Sequence, residues 1–558
     1  MLHLNMTQPL IKTELHRASR NGQTKKVKSI IKNGANINAV DKKGKTPLML
    51  ASKFKNHEIV KFLIENGANV NATDNKDMTA LMYTARTGKN KTLLLLMENQ
   101  VRVNVKDRLG KTALMHAAET RHILRLKQLV QRGAQVDSVD LAGMSALMHA
   151  SQSGIRQAVK YLIDQHADLH LTDLKGMTAL MHASASGYGS RIKLLVNGGA
   201  KINEKDINGR NALMHACIKG HYGSSKILID LRASVHESDN DENTALMHAS
   251  ENGHHRIVEN ILKCKSKVDV NKQNLEGKTA LMLASKYGHT KIVNILLKYN
   301  ADIHLEDNKG CTALMFAAEN GKKENVLKLV QKNADVNKQN VNNKDALMYA
   351  SEKGNHYAVE VLIKYKALVD RKDVYGLSSL HYASKEGHHK VVKLLLKHKA
   401  PKDSKTESGE TALMYACQKG HINTVKLLIA QGVDINSVDG KGRTALMYAV
   451  INDHRCIVEK LLNDGVDVNK VSLEKKTALT YAIENKHVAI EVLLVGFNAT
   501  VYFNRDETDT CTLSTLSASK STQTKSYNEN VCHHPDKLTP RSDSVHVNIQ
   551  NASIVNLP

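Results

Sequence analysis

The sequence predicts an all-α repeat solenoid, about fifteen stacked helix–turn–helix units separated by short β-turn fingers. Three observations predict it. A four-residue phrase, Thr-Ala-Leu-Met, recurs at a fixed interval. Each interval holds one turn signal and two helix-length apolar patterns. The composition, with 4% aromatic residues, no Trp and 41% hydrophobic residues, suits many small packing units better than a few large cores.

The phrase stands at Thr79-Ala-Leu-Met82, Thr112-Ala-Leu-Met115, Thr178-Ala-Leu-Met181, Thr244-Ala-Leu-Met247, Thr312-Ala-Leu-Met315 and Thr411-Ala-Leu-Met414. Further copies, exact at Thr279 and Thr444 and degenerate elsewhere, extend the series to fifteen anchors: Thr13, Thr46, Thr79, Thr112, Ser145, Thr178, Asn211, Thr244, Thr279, Thr312, Asp345, Ser378, Thr411, Thr444 and Thr477. Every interval is 33 residues except Thr244 to Thr279, which is 35 because the segment 263–274 carries two extra residues. That insertion either bends the stack or enlarges one loop.

Copy 5 illustrates the unit. Asp140-Leu-Ala-Gly143 reads as a turn, and the Ser145 hydroxyl is placed to cap a first helix that turns Leu147, Met148 and Ala150 inward. Gly154 can take the left-handed conformation that ends this helix. A second helix carries Val159, Leu162 and Ile163 at helical spacing and ends before Ala167-Asp-Leu-His170. Such a helix pair cannot close a core alone, so the copies must stack and fold collectively.

The Asp-x-x-Gly-x-Thr-Ala-Leu turn and helix start, the Gly-His pairs at 220–221, 253–254, 288–289 and 420–421, and Gly-Ala-Asn-Val-Asn at 67–71 resemble the ankyrin repeat over roughly residues 9–500. The Thr-Ala-Leu-Met form is similar to a variant seen in large ankyrin-only proteins of protozoan parasites. Three departures stand out. Pro after Thr survives only at Pro47; the His at the fourth position is Met in twelve copies and remains at His16 and His381; the helix-ending Gly is replaced at Lys55, Arg121, Asp453 and Lys486. The Met row is expected to fill space where His would make polar contacts to the turn. The four Gly losses predict strain or local irregularity.

Three segments follow: a lead (1–8), the repeat array (9–503) and a Ser/Thr/Asn-rich tail (504–558) expected to be disordered. The tail holds five Lys and Arg against six Asp and Glu, so the formal net charge of +24 belongs to the repeats. Seven scattered cysteines without ligand spacing predict free thiols in a reducing compartment. With no secretory signal pattern and no apolar run of about 18 residues, the expectation is a cytoplasmic protein without a transmembrane segment.

No pattern for catalysis emerges, and no cofactor or metal is expected. Gly-Lys-Thr at 44–46, 110–112 and 277–279 lacks the glycine that a phosphate-binding loop needs five residues earlier, where Ala39, Val105 and Lys272 stand instead. His116, His149, His182, His215 and His248, one per copy, sit too far apart on neighbouring helices to share a zinc ion and are expected to make stacking contacts. Cys532-His-His534 lacks further ligands.

The ankyrin resemblance implies a partner surface along the concave face formed by turn tips and first helices. On it the sequence places apolar tips at Leu141, Ala142, Met144, Leu174, Met177, Ile207, Val374, Tyr375 and Leu377, with Arg108, Lys111, Lys175 and Arg210 as steering charges. The same tips could instead pack on one another. The leading expectation is a non-enzymatic scaffold or adaptor for one or more proteins with acidic surface. The alternative is a charge-driven binder of nucleic acid or anionic membrane, for which exposed aromatics beside the cations are scarce.

Overall fold

The computed structural model describes residues 8–502. The expected lead (except Gln8), the boundary at 503 and the expected tail lie outside the described residues. Among the described residues, thirty helices form fifteen pairs in chain order. Each first helix packs on the second helix of its own copy and on the first helices of both neighbours, and second helices pack likewise along the other side. Extended pairing is confined to isolated bridges beside four fingers, such as Val139 with Ser145.

The anchor residues explain where the first helices start. The Thr79 hydroxyl accepts from the Met82 backbone N–H at 3.2 Å, and Ser145, Asn211 and Asp345 cap their helices in the same way. Thr13 differs. No finger precedes it, and the first helix of copy 1 runs from Gln8 to Asn21, so this anchor lies inside a helix.

Met at the fourth position completes the cap from the other side. The Met82 and Met148 sulfurs each lie 3.4 Å from the backbone nitrogen of their own anchor residue, close enough to accept a weak bond. The two surviving histidines do more: His381 accepts the Ser378 N–H through Nδ1 and reaches the Ser404 carbonyl of the next copy through Nε2, at 2.9 Å. His16 likewise reaches the Ala39 and Lys45 carbonyls. Exchanging His for Met therefore gives up a polar link between copies and leaves a buried thioether in the core.

First helices mostly end on a left-handed residue nine positions after the anchor, as at Gly154 (φ 91°). Three of the four non-glycine copies keep this geometry, with Lys55, Asp453 and Lys486 at φ 58–67°. Only the fourth is irregular: Arg121 is not left-handed, and its helix, Ala113–Ala118, has six residues. The next position then ties copies together. The rings of His221, His388 and His421 donate to the Ala185, Glu352 and Lys385 carbonyls at the end of the preceding first helix, each at 3.0 Å. Where His122 makes no such bond, the buried Arg125 donates to the Thr84 and Ala85 carbonyls instead, at 3.0 and 2.8 Å.

The core is continuous from Leu15 to Leu494, with Leu, Met and Ala of the first helices facing Ile, Val and Leu of the second. The two-residue insertion enlarges the loop after the helix His255–Leu262, and the first helices on either side of it remain packed together. No described helix is long and apolar enough to cross a membrane.

Candidate functional site

The fingers are built by one repeated device. Asp140 Oδ1 accepts the N–H groups of Ala142 and Met144, which folds the turn, and Gly143 takes φ 78°. The other carboxylate oxygen is held by the first helix nine residues on. His116, His149, His182, His215 and His248 donate from Nε2 to Asp107, Asp140, Asp173, Asp206 and Asp239 at 2.8–3.0 Å. The expected stacking role of this His row is thus corrected: each ring is a buried strut between helix and finger. Tyr83, Tyr382 and Tyr448 perform the same task with Asp74, Asp373 and Asp439 at 2.6–2.8 Å. Burial holds His116, His182, His215 and His248 below the usual imidazole range despite their carboxylates, which favours the neutral ring.

Adjacent fingers are joined through the backbone. Leu141 N–H donates to the Leu109 carbonyl, Leu174 to Ala142 and Ile207 to Lys175, at 3.0–3.1 Å, and the series runs from Asn75 to Leu473, across the enlarged loop as well. The tips consequently form a fixed row. At the residue just after the finger Asp, Asn240 and Asn308 use their side-chain amides to bond the carbonyl of the preceding finger. Leu141, Leu174 and Ile207 occupy the same position without any such bond and are 70%, 74% and 63% exposed.

The structure sorts the sequence-derived residues into groups. Leu141, Leu174 and Ile207 stand out on three consecutive fingers, and Ala142 beside them is exposed. Val374 and Tyr375 form a second exposed pair. Mutual packing of tips therefore does not account for these side chains. Met144 and Met177 are half-buried against the core. Leu377 departs outright from the expectation: it is buried against Met348 and Tyr382, because the residue just before the anchor turns back under the finger.

The steering charges divide similarly. Arg108 and Lys175 are exposed. Lys111 pairs with Glu119 at 2.6 Å, and Arg210 approaches Asp239 at 3.6 Å, so both cations are engaged within the array. Burial would raise the Glu119 carboxyl, but bonds from His149 and Lys111 outweigh it and hold it at about 2. Sequence reasoning missed Leu109, 63% exposed beside Leu141, and the exposed Leu275, Val341 and Leu473. The last three occupy the same turn position as Leu141, so the repeat register alone could have found them.

Among the described residues, no three His, Cys, Asp or Glu side chains converge where a metal ion could sit. Cys217, Cys311 and Cys417 are buried free thiols. Comparison with curated proteins finds no match. The family model described as ankyrin repeats, in units of three copies, matches overlapping segments that run from 15–107 through 246–340 to 441–503. With its period, helix pairs and finger ladder matched along nearly the whole array, the chain belongs to the ankyrin-repeat family.

Proposed function

We propose that this protein is a non-enzymatic scaffold or adaptor that binds a partner protein along its finger row, with Leu109, Leu141, Leu174 and Ile207 as the apolar anchors. Ankyrin repeats are in general protein-interaction modules. The observation that carries the reading is the solvent-facing aliphatic row on fingers locked together by backbone bonds. Other fingers use Asn at this position to brace the array, whereas Leu141, Leu174 and Ile207 make no such bond and face solvent. Aliphatic groups held on a rigid frame bind with little ordering cost. Arg108 and Lys175 flank the row and favour an acidic partner surface, with a cytoplasmic setting supported by the buried free thiols.

The experiment is affinity capture from cell extract at low and high salt, comparing the parent with Leu141→Asp, Leu174→Asp, Ile207→Asp combined. The expected result is a discrete protein that survives high salt and is lost with the triple variant. Recovery of nucleic acid or lipid alone, released by salt and indifferent to the substitutions, would replace this reading with charge-driven binding.

A further inference from the structure

Copies 2 to 4 carry a groove of about 890 Å³ between fingers and first helices, lined by Lys43, Lys45, Lys53, Lys76, Arg86 and Arg108. Two carboxylates share it, Asp74 and Asp107, and both are consumed by the finger device: Asp74 accepts from Lys76 N–H, Met78 N–H and the Tyr83 hydroxyl, and Asp107 from Leu109 N–H, Lys111 N–H and His116. The six cations have no ion-pair partner among the described residues.

The repeat shows how this excess arises. In copies 4, 11 and 15, a Lys just before the anchor pairs with a Glu eight residues later: Lys111 with Glu119, Lys344 with Glu352, Lys476 with Glu484, at 2.6–2.8 Å. Copy 2 has the same Lys at Lys45, but the position of the Glu is filled by Lys53, and in copy 3 by Arg86. In copy 2 two ammonium groups thus share the space over the Tyr83 ring, 4.8 and 5.8 Å from its centroid, where copies 4, 11 and 15 neutralise the charge with a carboxylate. Burial and the nearby Lys53 lower the Lys45 ammonium below the usual lysine range, so the arrangement is unfavourable for the unbound protein.

We propose that this groove is a docking site for an extended acidic peptide segment, whose carboxylates supply the partners that copies 2 and 3 lack. The cations are spread over three copies spaced about 10 Å apart, a span of about 20 Å. An extended chain rising about 3.3 Å per residue covers that span with about six residues, and its side chains can meet the cations one at a time. A single compact anion cannot. The two rings lining the groove, Tyr83 and His116, are buried and held on Asp74 and Asp107, and the Lys45 and Lys53 ammonium groups lie over the Tyr83 ring, so the groove offers no open face on which a base could stack. The site does not depend on the aliphatic row, which lies on later fingers apart from Leu109.

The test uses the full chain and fluorescence anisotropy with a labelled peptide of about six consecutive glutamates, its glutamine counterpart and an oligothymidylate of similar length. Lys53→Glu recreates the Lys–Glu pair that copies 4, 11 and 15 already tolerate, so it is expected to fold. Lys160→Glu, on an exposed second-helix face, changes net charge equally. The expected result is binding of the glutamate peptide only, weakened about tenfold by Lys53→Glu and little changed by Lys160→Glu. Leu174→Ser should leave it unchanged, which separates this site from the aliphatic row. Equal weakening by Lys53→Glu and Lys160→Glu would overturn the proposal in favour of diffuse charge. Tighter binding of the oligothymidylate, with displacement of the peptide, would overturn it in favour of a nucleic-acid site.

Discussion

Replacing Asp345 with Thr should stabilise the middle of the array at neutral pH, and the gain should vanish in acid. Asp345 caps the first helix of copy 11, its carboxylate accepting the Met348 N–H at 2.9 Å, at a position where eleven other copies carry Thr. It is almost fully buried. Burial raises its carboxyl to about 6, outweighing the helix-end bonds and the more distant Arg371. Because the folded state holds its proton more tightly than the unfolded chain, stability is greatest below the ordinary carboxylate range and is lost as pH rises through about 6. Raising a carboxyl from its ordinary value to about 6 corresponds to about 3 kcal/mol, an upper figure for a site that keeps some compensating bonds. A Thr hydroxyl caps equally well and carries no charge. Urea melts of parent and Asp345→Thr would be compared at about pH 4 and pH 7.5. Copies couple only to their neighbours, so the probe must be local; since the chain has no Trp, Phe316→Trp in copy 10 reports this region alone. The expected gap is small in acid and about 2–3 kcal/mol at neutral pH. A gap independent of pH, or a variant less stable at neutral pH, would refute the reasoning.

Three further outcomes follow from the same bonds. His182→Phe strands one oxygen of the buried Asp173 carboxylate and should cost about 1–3 kcal/mol by local melting, whereas His182→Tyr should recover most of it, since Tyr382 already serves Asp373 in this way. His381→Met should cost about 1 kcal/mol at neutral pH by losing the Ser404 bond. It should also flatten the acid profile: burial lowers the His381 imidazole to about 4, so the parent loses stability as pH falls from about 6.5 to about 4 and the variant does not. Lys55→Gly relieves a left-handed lysine and should raise stability by about 0.5–1 kcal/mol, seen as a higher urea midpoint in the first copies.

The architecture was legible because a 33-residue period repeats through fifteen anchors, and each copy states its cap, turn and helix ends in residues with local physical meanings. What escaped were contacts between positions that the period does not align by itself. The offset of nine residues from Asp107 to His116, repeated to Asp439 and Tyr448, was present in the sequence, yet a row of imidazoles reads as a row until the finger carboxylates are placed beneath it. Leu377 looked like a tip because it lies in the turn, but the backbone reverses there and buries it. Lys111 and Arg210 looked like free charges because their partners sit on another turn of the helix or on the next copy. Three non-glycine helix ends, Lys55, Asp453 and Lys486, took the left-handed conformation that glycine favours, whereas Ala113–Ala118 gave up its last turn.

The central claim, that a protein partner lies along the finger row, is tested most directly by site-specific photo-crosslinking in cell extract. A photoreactive residue would be placed at position 141, 174 or 207 on the fingers, and at the exposed position 160 on a second helix. The account predicts one protein crosslinked from all three finger positions and not from position 160. Crosslinks from position 160 with none from the fingers, or finger crosslinks only to nucleic acid, would contradict it.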